Sequence, residues 1–132
     1  MKRVFLALLA LFALSTPAAV AQQDSIVGQW AGIGLQIEPA ETWTIQLSIQ
    51  SDGHGRIDYP SLQCGGELTR EGRRGEVVFF RERITYGDHC VTNGTVGVYS
   101  HAGRLMWFWT GEGSDYPAMA ASAVLSRDAP IS

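Results

Sequence analysis

Strict two-residue alternation of apolar and polar positions dominates this chain. In ETWTIQLSIQSDG, Trp43, Ile45, Leu47 and Ile49 alternate with Thr44, Gln46, Ser48 and Gln50, the pattern of a strand with one buried and one wet face. Asp52-Gly53 then supplies a tight turn. Upstream, GQWAGIGLQIEP sets Ile33, Leu35 and Ile37 on one face, Gly32 and Gly34 permit a bend or a close backbone approach, and Pro39 stops the run. Downstream, GRIDY runs to Pro60, which cannot donate to a ladder and so marks a bend or an edge.

LQCGGELT resumes an extended course, and REGRRG, Arg70 to Gly75, is expected to be a polar loop. In EVVFFRERIT the alternation puts Val78, Phe80, Glu82 and Ile84 inside and Val77, Phe79, Arg81 and Arg83 outside. TYGDHCVTNG carries two turn signals, TVGVYS is a strand, and His101-Ala102-Gly103 is a short hairpin connection. RLMWFWT is apolar on both sides, with Leu105, Trp107 and Trp109 on one face and Met106 and Phe108 on the other. GEGSDYP is an acidic loop, AMAASAVLSR a strand with small residues at alternate positions, and APIS a tail. About eight short strands and no amphipathic helix predict an all-β fold, an antiparallel up-and-down barrel, with a β-sandwich as the alternative. Eight strands suffice to close a barrel whose interior is filled by side chains or holds one small ligand.

The first residues break this pattern. Lys2 and Arg3 precede an apolar run from Val4 to Leu14, followed by Pro17 and Ala19-Val20-Ala21, the layout of a secretory signal peptide cut after Ala21. The run of about eleven residues is short of the roughly twenty that span a bilayer, so no membrane span is expected after cleavage. Residues 1–21 are thus expected to be a signal peptide and 22–132 one barrel domain, periplasmic or secreted. Without Lys2 and Arg3 the chain keeps eight basic residues, all arginine, against thirteen acids, a net charge of −5. Such a domain has no electrostatic footprint for nucleic acid, and the Arg70–Arg74 cluster is expected to be a solvated turn.

Export also bears on the two cysteines. Cys64, among turn residues in DYPSLQCGGEL, is in isolation a nucleophile, a metal ligand or half of a disulfide. Oxidising compartments convert an even cysteine count into disulfides, so a Cys64–Cys90 bond is expected.

Two resemblances add to this reading. Gly28-Gln29-Trp30 resembles the G-x-W opening of lipocalin-like and avidin-like barrels, which implies that Trp30 closes the barrel floor. Over nearly the whole mature chain, Trp30 and Gly32, then YPSLxCGGxL from Tyr59 to Leu68, then FxExIxxGxxxC from Phe80 to Cys90, then Leu125 with Arg127, the pattern looks like a small exported bacterial domain of uncharacterised activity. It also resembles the extracytoplasmic ends of some bacterial serine/threonine kinases, which implies binding or sensing.

No nucleophile beside a base, carboxylate pair or metal-ligand spacing forms a recognisable motif, so no catalytic residue, metal or cofactor is expected. His54, His89 and His101 all fall in turns. Asn93-Gly94-Thr95 matches a glycosylation sequon but is expected to be a plain turn. Glu82 carries the most information, because an inward carboxylate must find a partner, shift its pKa or line a wet cavity. Glu82, Trp30, Tyr59 and Phe80 are the ligand-binding candidates. Trp107 and Trp109 are expected in the core, and Met106 and Phe108 form a candidate surface patch.

The expected function is non-enzymatic binding of a small ligand or a cell-envelope component. The alternative is inhibition of a hydrolase, a lysozyme or protease, through loops Arg70 to Gly75 and Gly111 to Pro117 at one barrel end. The two-sided apolar strand around Trp107 also points to a homodimer.

Overall fold

The computed structural model describes residues 26–111 and 120–127. The expected signal peptide, the loop at 112–117 and the C-terminal tail lie outside the described residues. Eight antiparallel strands form one closed up-and-down barrel, each pairing with its neighbour in sequence and the last with the first. They are β1 (Gly28–Gln36), β2 (Glu41–Ile49), β3 (His54–Tyr59), β4 (Cys64–Arg74), β5 (Val77–Tyr86), β6 (Thr95–His101), β7 (Arg104–Thr110) and β8 (Ala120–Arg127). A three-residue 3₁₀ turn, Pro60–Leu62, links β3 to β4, and Gln63 follows it in the left-handed region. Among the described residues no helix is long and apolar enough to cross a membrane.

The alternation in β2, β5 and β7 is kept in the fold. Ile45, Leu47, Ile49, Val78, Phe80, Glu82, Leu105, Trp107 and Trp109 are buried, and with Ile57, Leu68, Val96, Val98 and Leu125 they fill most of the interior. Strand β1 behaves differently. Its inward row is Trp30, Gly32, Gly34 and Gln36, and the apolar row Ile33, Leu35 and Ile37 faces out, with Ile33 64% and Leu35 48% exposed. The glycines are inside because their neighbours occupy the space that side chains would need. A Cβ on Gly34 would lie 2.9 Å from the Trp43 ring, and one on Gly32 2.7 Å from the Leu125 side chain.

Strand β4 also differs from expectation. Arg70 to Arg74 is not a loop: it continues β4 and pairs with Val77–Phe80 of β5 through an irregularity between Arg70 and Gly72. The turn proper is confined to Gly75 and Glu76. Its polar composition reflects a ribbon whose residues beyond Leu68 are mostly exposed.

The antiparallel order gives the barrel two distinct ends. At one end Trp30 sits 2% exposed, its indole N–H donating to the Ile26 carbonyl (2.9 Å). The Arg127 guanidinium lies over the Trp30 ring, 3.9 Å from its centroid, and donates to the Val27 carbonyl. The turns after β2, β4 and β6 share this closed end. The opposite end collects the links after β1, β3 and β5, and there Cys64 at the start of β4 is bonded to Cys90 in the β5–β6 loop, with Cα atoms 6.2 Å apart. Gly87 lets that loop pass, since it has φ +87° and a Cβ there would collide with Gln63 and Cys64.

The bond closes a loop of 26 residues between strands that already pair through β4 and β5. Chain entropy assigns such a loop about 3–4 kcal/mol. Replacing both cysteines by alanine is expected to lower unfolding free energy by that amount in urea titrations; a loss below about 1 kcal/mol would show that the barrel does not depend on it.

Candidate functional site

Inside the end that carries the disulfide, the core stops short and leaves a cavity of about 100 Å³. Five of the eight strands contribute to its walls. Gln36 is contributed by β1, Glu41 and Trp43 by β2, Tyr59 by β3, Glu82 by β5, and Trp107 and Trp109 by β7; Leu62 of the 3₁₀ turn and His89, Cys90 and Val91 of the β5–β6 loop complete it. The space exists because bulky and small inward residues stand side by side. Trp107 and Trp109 pair with Ala123 and Ala121 of β8, and those alanines pair in turn with Gly34 and Gln36 of β1.

Glu82 is 1% exposed and sits in this wall between the inward positions of Phe80 and Ile84. Among the described residues no cation forms an ion pair with it. The Tyr59 hydroxyl donates to its Oε2 (2.5 Å) and the Trp109 indole N–H to its Oε1 (3.1 Å). Register explains the convergence. Strands β3 and β7 flank β5 at one strand's remove on either side, and both partners reach Glu82 diagonally: on β4 Tyr59 pairs with Cys64 and Glu82 with Leu68, with Gly66 at the position between, while on β6 Val96 links Trp109 to Phe80, the inward neighbour of Glu82. Gly94 is required as well: its carbonyl accepts the Glu82 backbone N–H (2.9 Å), and a Cβ there would strike the Trp109 indole. Tyr59 also meets Trp107 edge to face, with centroids 6.5 Å apart.

Burial raises the Glu82 pKa, and the bonds from Tyr59 and Trp109, which favour the carboxylate, offset only part of that rise. Burial and the neighbouring Glu82 charge push the Tyr59 hydroxyl well above its ordinary value. Tyr59 therefore stays protonated, and Glu82 is the group able to change charge. When Glu82 is neutral its own O–H can donate to the Tyr59 hydroxyl oxygen, which frees the tyrosine O–H for another acceptor.

Of the candidates from sequence, Glu82 and Tyr59 meet in this cavity, while Trp30 closes the opposite end and Phe80 is buried core that does not line it. Met106 and Phe108 lie half-buried on the outer surface, with Phe79 packed edge to face on Phe108 at 6.0 Å. That face continues through Val124 to Ile33 and Leu35. Trp107 and Trp109 belong to the core as expected, and they also line the cavity. Gln36, Trp43 and His89 were not anticipated there. Trp43 shares the parity of Ile45, and Gln36 that of Trp30, so both had a signal; His89 had none. No group of three His, Cys, Asp or Glu among the described residues is placed to hold a metal ion. Searches against protein-family models, curated proteins and solved structures found no match for this chain.

A carboxyl whose pKa is raised in the fold stabilises the folded state in its neutral form. Its contribution is complete below the ordinary value of 4.5 and is lost as pH rises through the folded value. Glu82→Gln removes this dependence while keeping shape. The stability of the wild type relative to Glu82→Gln is therefore expected to fall as pH rises above 4.5 and then level off, as read from urea unfolding at a series of pH values. A difference independent of pH would mean that Glu82 does not titrate with a raised pKa.

Proposed function

We propose that this protein is an exported, non-enzymatic barrel that holds a small ligand or a fragment of a cell-envelope component in the cavity beside Glu82. The observation that carries this reading is a buried carboxylate set in the wall of an aromatic cavity at one barrel end, while the other end is sealed by Trp30 and Arg127. Ligand sites are typically concave and mainly apolar, with a few placed polar groups, and the mouths of small barrels are a usual place for them. Export is supported by the signal-like first residues and by the Cys64–Cys90 bond. The lipocalin-like character of the G-x-W opening fits the same reading.

Inhibition of a hydrolase through end loops draws less support. The Arg70–Gly75 segment belongs to the sealed end, whereas Gly111 follows β7 at the cavity end. Glu82 already accepts two hydrogen bonds from the protein, which favours a binding over a catalytic role.

Native mass spectrometry of protein purified from its own periplasm or culture medium tests the proposal. A retained small molecule is expected with wild type and at reduced occupancy with Glu82→Gln. A ligand-free barrel that co-purifies with a hydrolase would overturn it.

A further inference from the structure

Four aromatic side chains, Trp43, Tyr59, Trp107 and Trp109, line the cavity beside Glu82. The Tyr59 and Trp107 rings stand at 67° to each other, so they form a corner of the wall and not a stack. Glu41 and His89, both exposed, bring the lining out to the surface at this end of the barrel. Among the described residues no arginine or lysine lines the cavity, and the two groups bonded to the Glu82 carboxylate, Tyr59 and Trp109, are neutral donors. An ionised Glu82 therefore puts a negative charge in the wall that no lining cation offsets. Coulomb attraction acts through space, and it is stronger inside a protein than in water. An occupant of the cavity feels this charge without having to touch a carboxylate oxygen.

Resting on the small-ligand reading above, we infer that the cavity takes a compact organic cation, an N-methylated ammonium group, with Glu82 as its counter-charge and the aromatic wall as its contact surface. Aromatic rings attract ammonium groups electrostatically, and the attraction strengthens where water is excluded. An anion would meet Glu82 and Glu41 with no lining cation to compensate. A neutral group of the same shape would fill the space and leave the Glu82 charge uncompensated. Methylation decides among cations. A primary ammonium brings three N–H donors that need acceptors, whereas each Glu82 oxygen already accepts a bond from Tyr59 or Trp109. A metal ion needs several ligands, and no group of three His, Cys, Asp or Glu among the described residues is placed to hold one. A quaternary ammonium presents only methyl groups and asks for no hydrogen bond. Size agrees with this chemistry. A 150 Å³ cavity accommodates benzene, so about 100 Å³ takes a trimethylammonium head of about four heavy atoms, the rest of the molecule passing out beside Glu41 and His89. The acidic net charge of the mature chain also favours the approach of cations.

Isothermal titration calorimetry of the whole mature protein tests this with four probes: choline, ethanolamine, pivalate and neohexanol, the neutral isostere of choline with carbon in place of the ammonium nitrogen. Choline should bind about tenfold more tightly than neohexanol, and more tightly than ethanolamine or pivalate. Its affinity should rise as pH climbs above 4.5 through the raised folded pKa of Glu82 and then level off, because only the ionised carboxylate attracts it. The other titratable groups at the cavity are Tyr59, protonated throughout this range, and Glu41 and His89 at its opening. Glu82→Gln should weaken choline about tenfold and remove most of the rise with pH; a rise that persists in full would assign the charge to Glu41 or His89 and overturn the role of Glu82. If that variant does not fold, the choline and neohexanol comparison in the wild type decides the matter without it. Vesicles of phosphatidylcholine, with phosphatidylglycerol as control, identify the source. Co-sedimentation with the former alone assigns a lipid headgroup, binding of choline without co-sedimentation assigns a free solute, and either sustains the inference. Equal or tighter binding of neohexanol, ethanolamine or pivalate would overturn the cation chemistry and leave the ligand-binding reading standing. Binding of no probe would overturn the inference as well. Failure of the ligand-binding reading itself appears separately, as a ligand-free barrel that co-purifies with a hydrolase in native mass spectrometry.

Discussion

Closure of eight strands into one barrel is the constraint from which the other features follow. Once β8 pairs with β1, the interior is about one layer of side chains across, and every inward position must share that width with the positions facing it. Large inward residues on one side then require small ones opposite or beside them. Trp43 lies over Gly34, Leu125 over Gly32, and Trp107 and Trp109 stand beside Ala123 and Ala121. Toward the Trp30 end the exchange leaves a buried apolar core of Leu47, Ile49, Phe80, Val98, Leu105 and Leu125. Toward the disulfide end it is not, and the deficit is the cavity.

A carboxylate can stand at that boundary because the barrel brings it partners from both sides. Glu82 lies on β5, and its two donors reach it from β3 and β7. Hydrogen bonding by Tyr59 and Trp109 favours the ionised form, while burial favours the neutral one, and burial is the larger influence. This balance separates Glu82 from an ordinary core ion pair: among the described residues no arginine neutralises it, and its charge state is set by burial against two neutral donors. The same geometry leaves Trp109 and Tyr59 committed to Glu82 and Trp43 and Trp107 uncommitted.

Much of the fold was legible from alternation. Strands β2, β5 and β7 carry large apolar residues at every second position, and the inward placement of Glu82 follows from Val78, Phe80 and Ile84 alone. Strand β1 misleads because its side chains invert the usual rule: the small residues are inside and Ile33, Leu35 and Ile37 outside. Only Trp30 marks the correct parity there, since a tryptophan closing the barrel must point in and carries even-numbered residues with it. The Arg70–Arg74 segment was hidden for another reason. A hairpin that extends past the core has its backbone satisfied by its partner strand while both faces meet water, so it keeps no apolar signature.

The candidate site was legible residue by residue but not as a site. Parity alone places Trp43, Tyr59, Glu82, Trp107 and Trp109 inside, yet whether they meet depends on the stagger between strands, which alternation does not encode. That stagger is set in part by irregularities between Gly65 and Gly66 and between Arg70 and Gly72 in β4, and a one-residue slip would turn a whole strand inside out. At Gly66 a Cβ would collide with the backbone of Arg83, so β4 and β5 approach there more closely than side chains would allow. This close approach, beside the cysteine that fastens the β5–β6 loop, brings Tyr59 within reach of Glu82 across β4. The glycine pair after Cys64 is therefore tied to the carboxylate through geometry, and the disulfide holds in place the loop whose Gly94 carbonyl receives the Glu82 backbone.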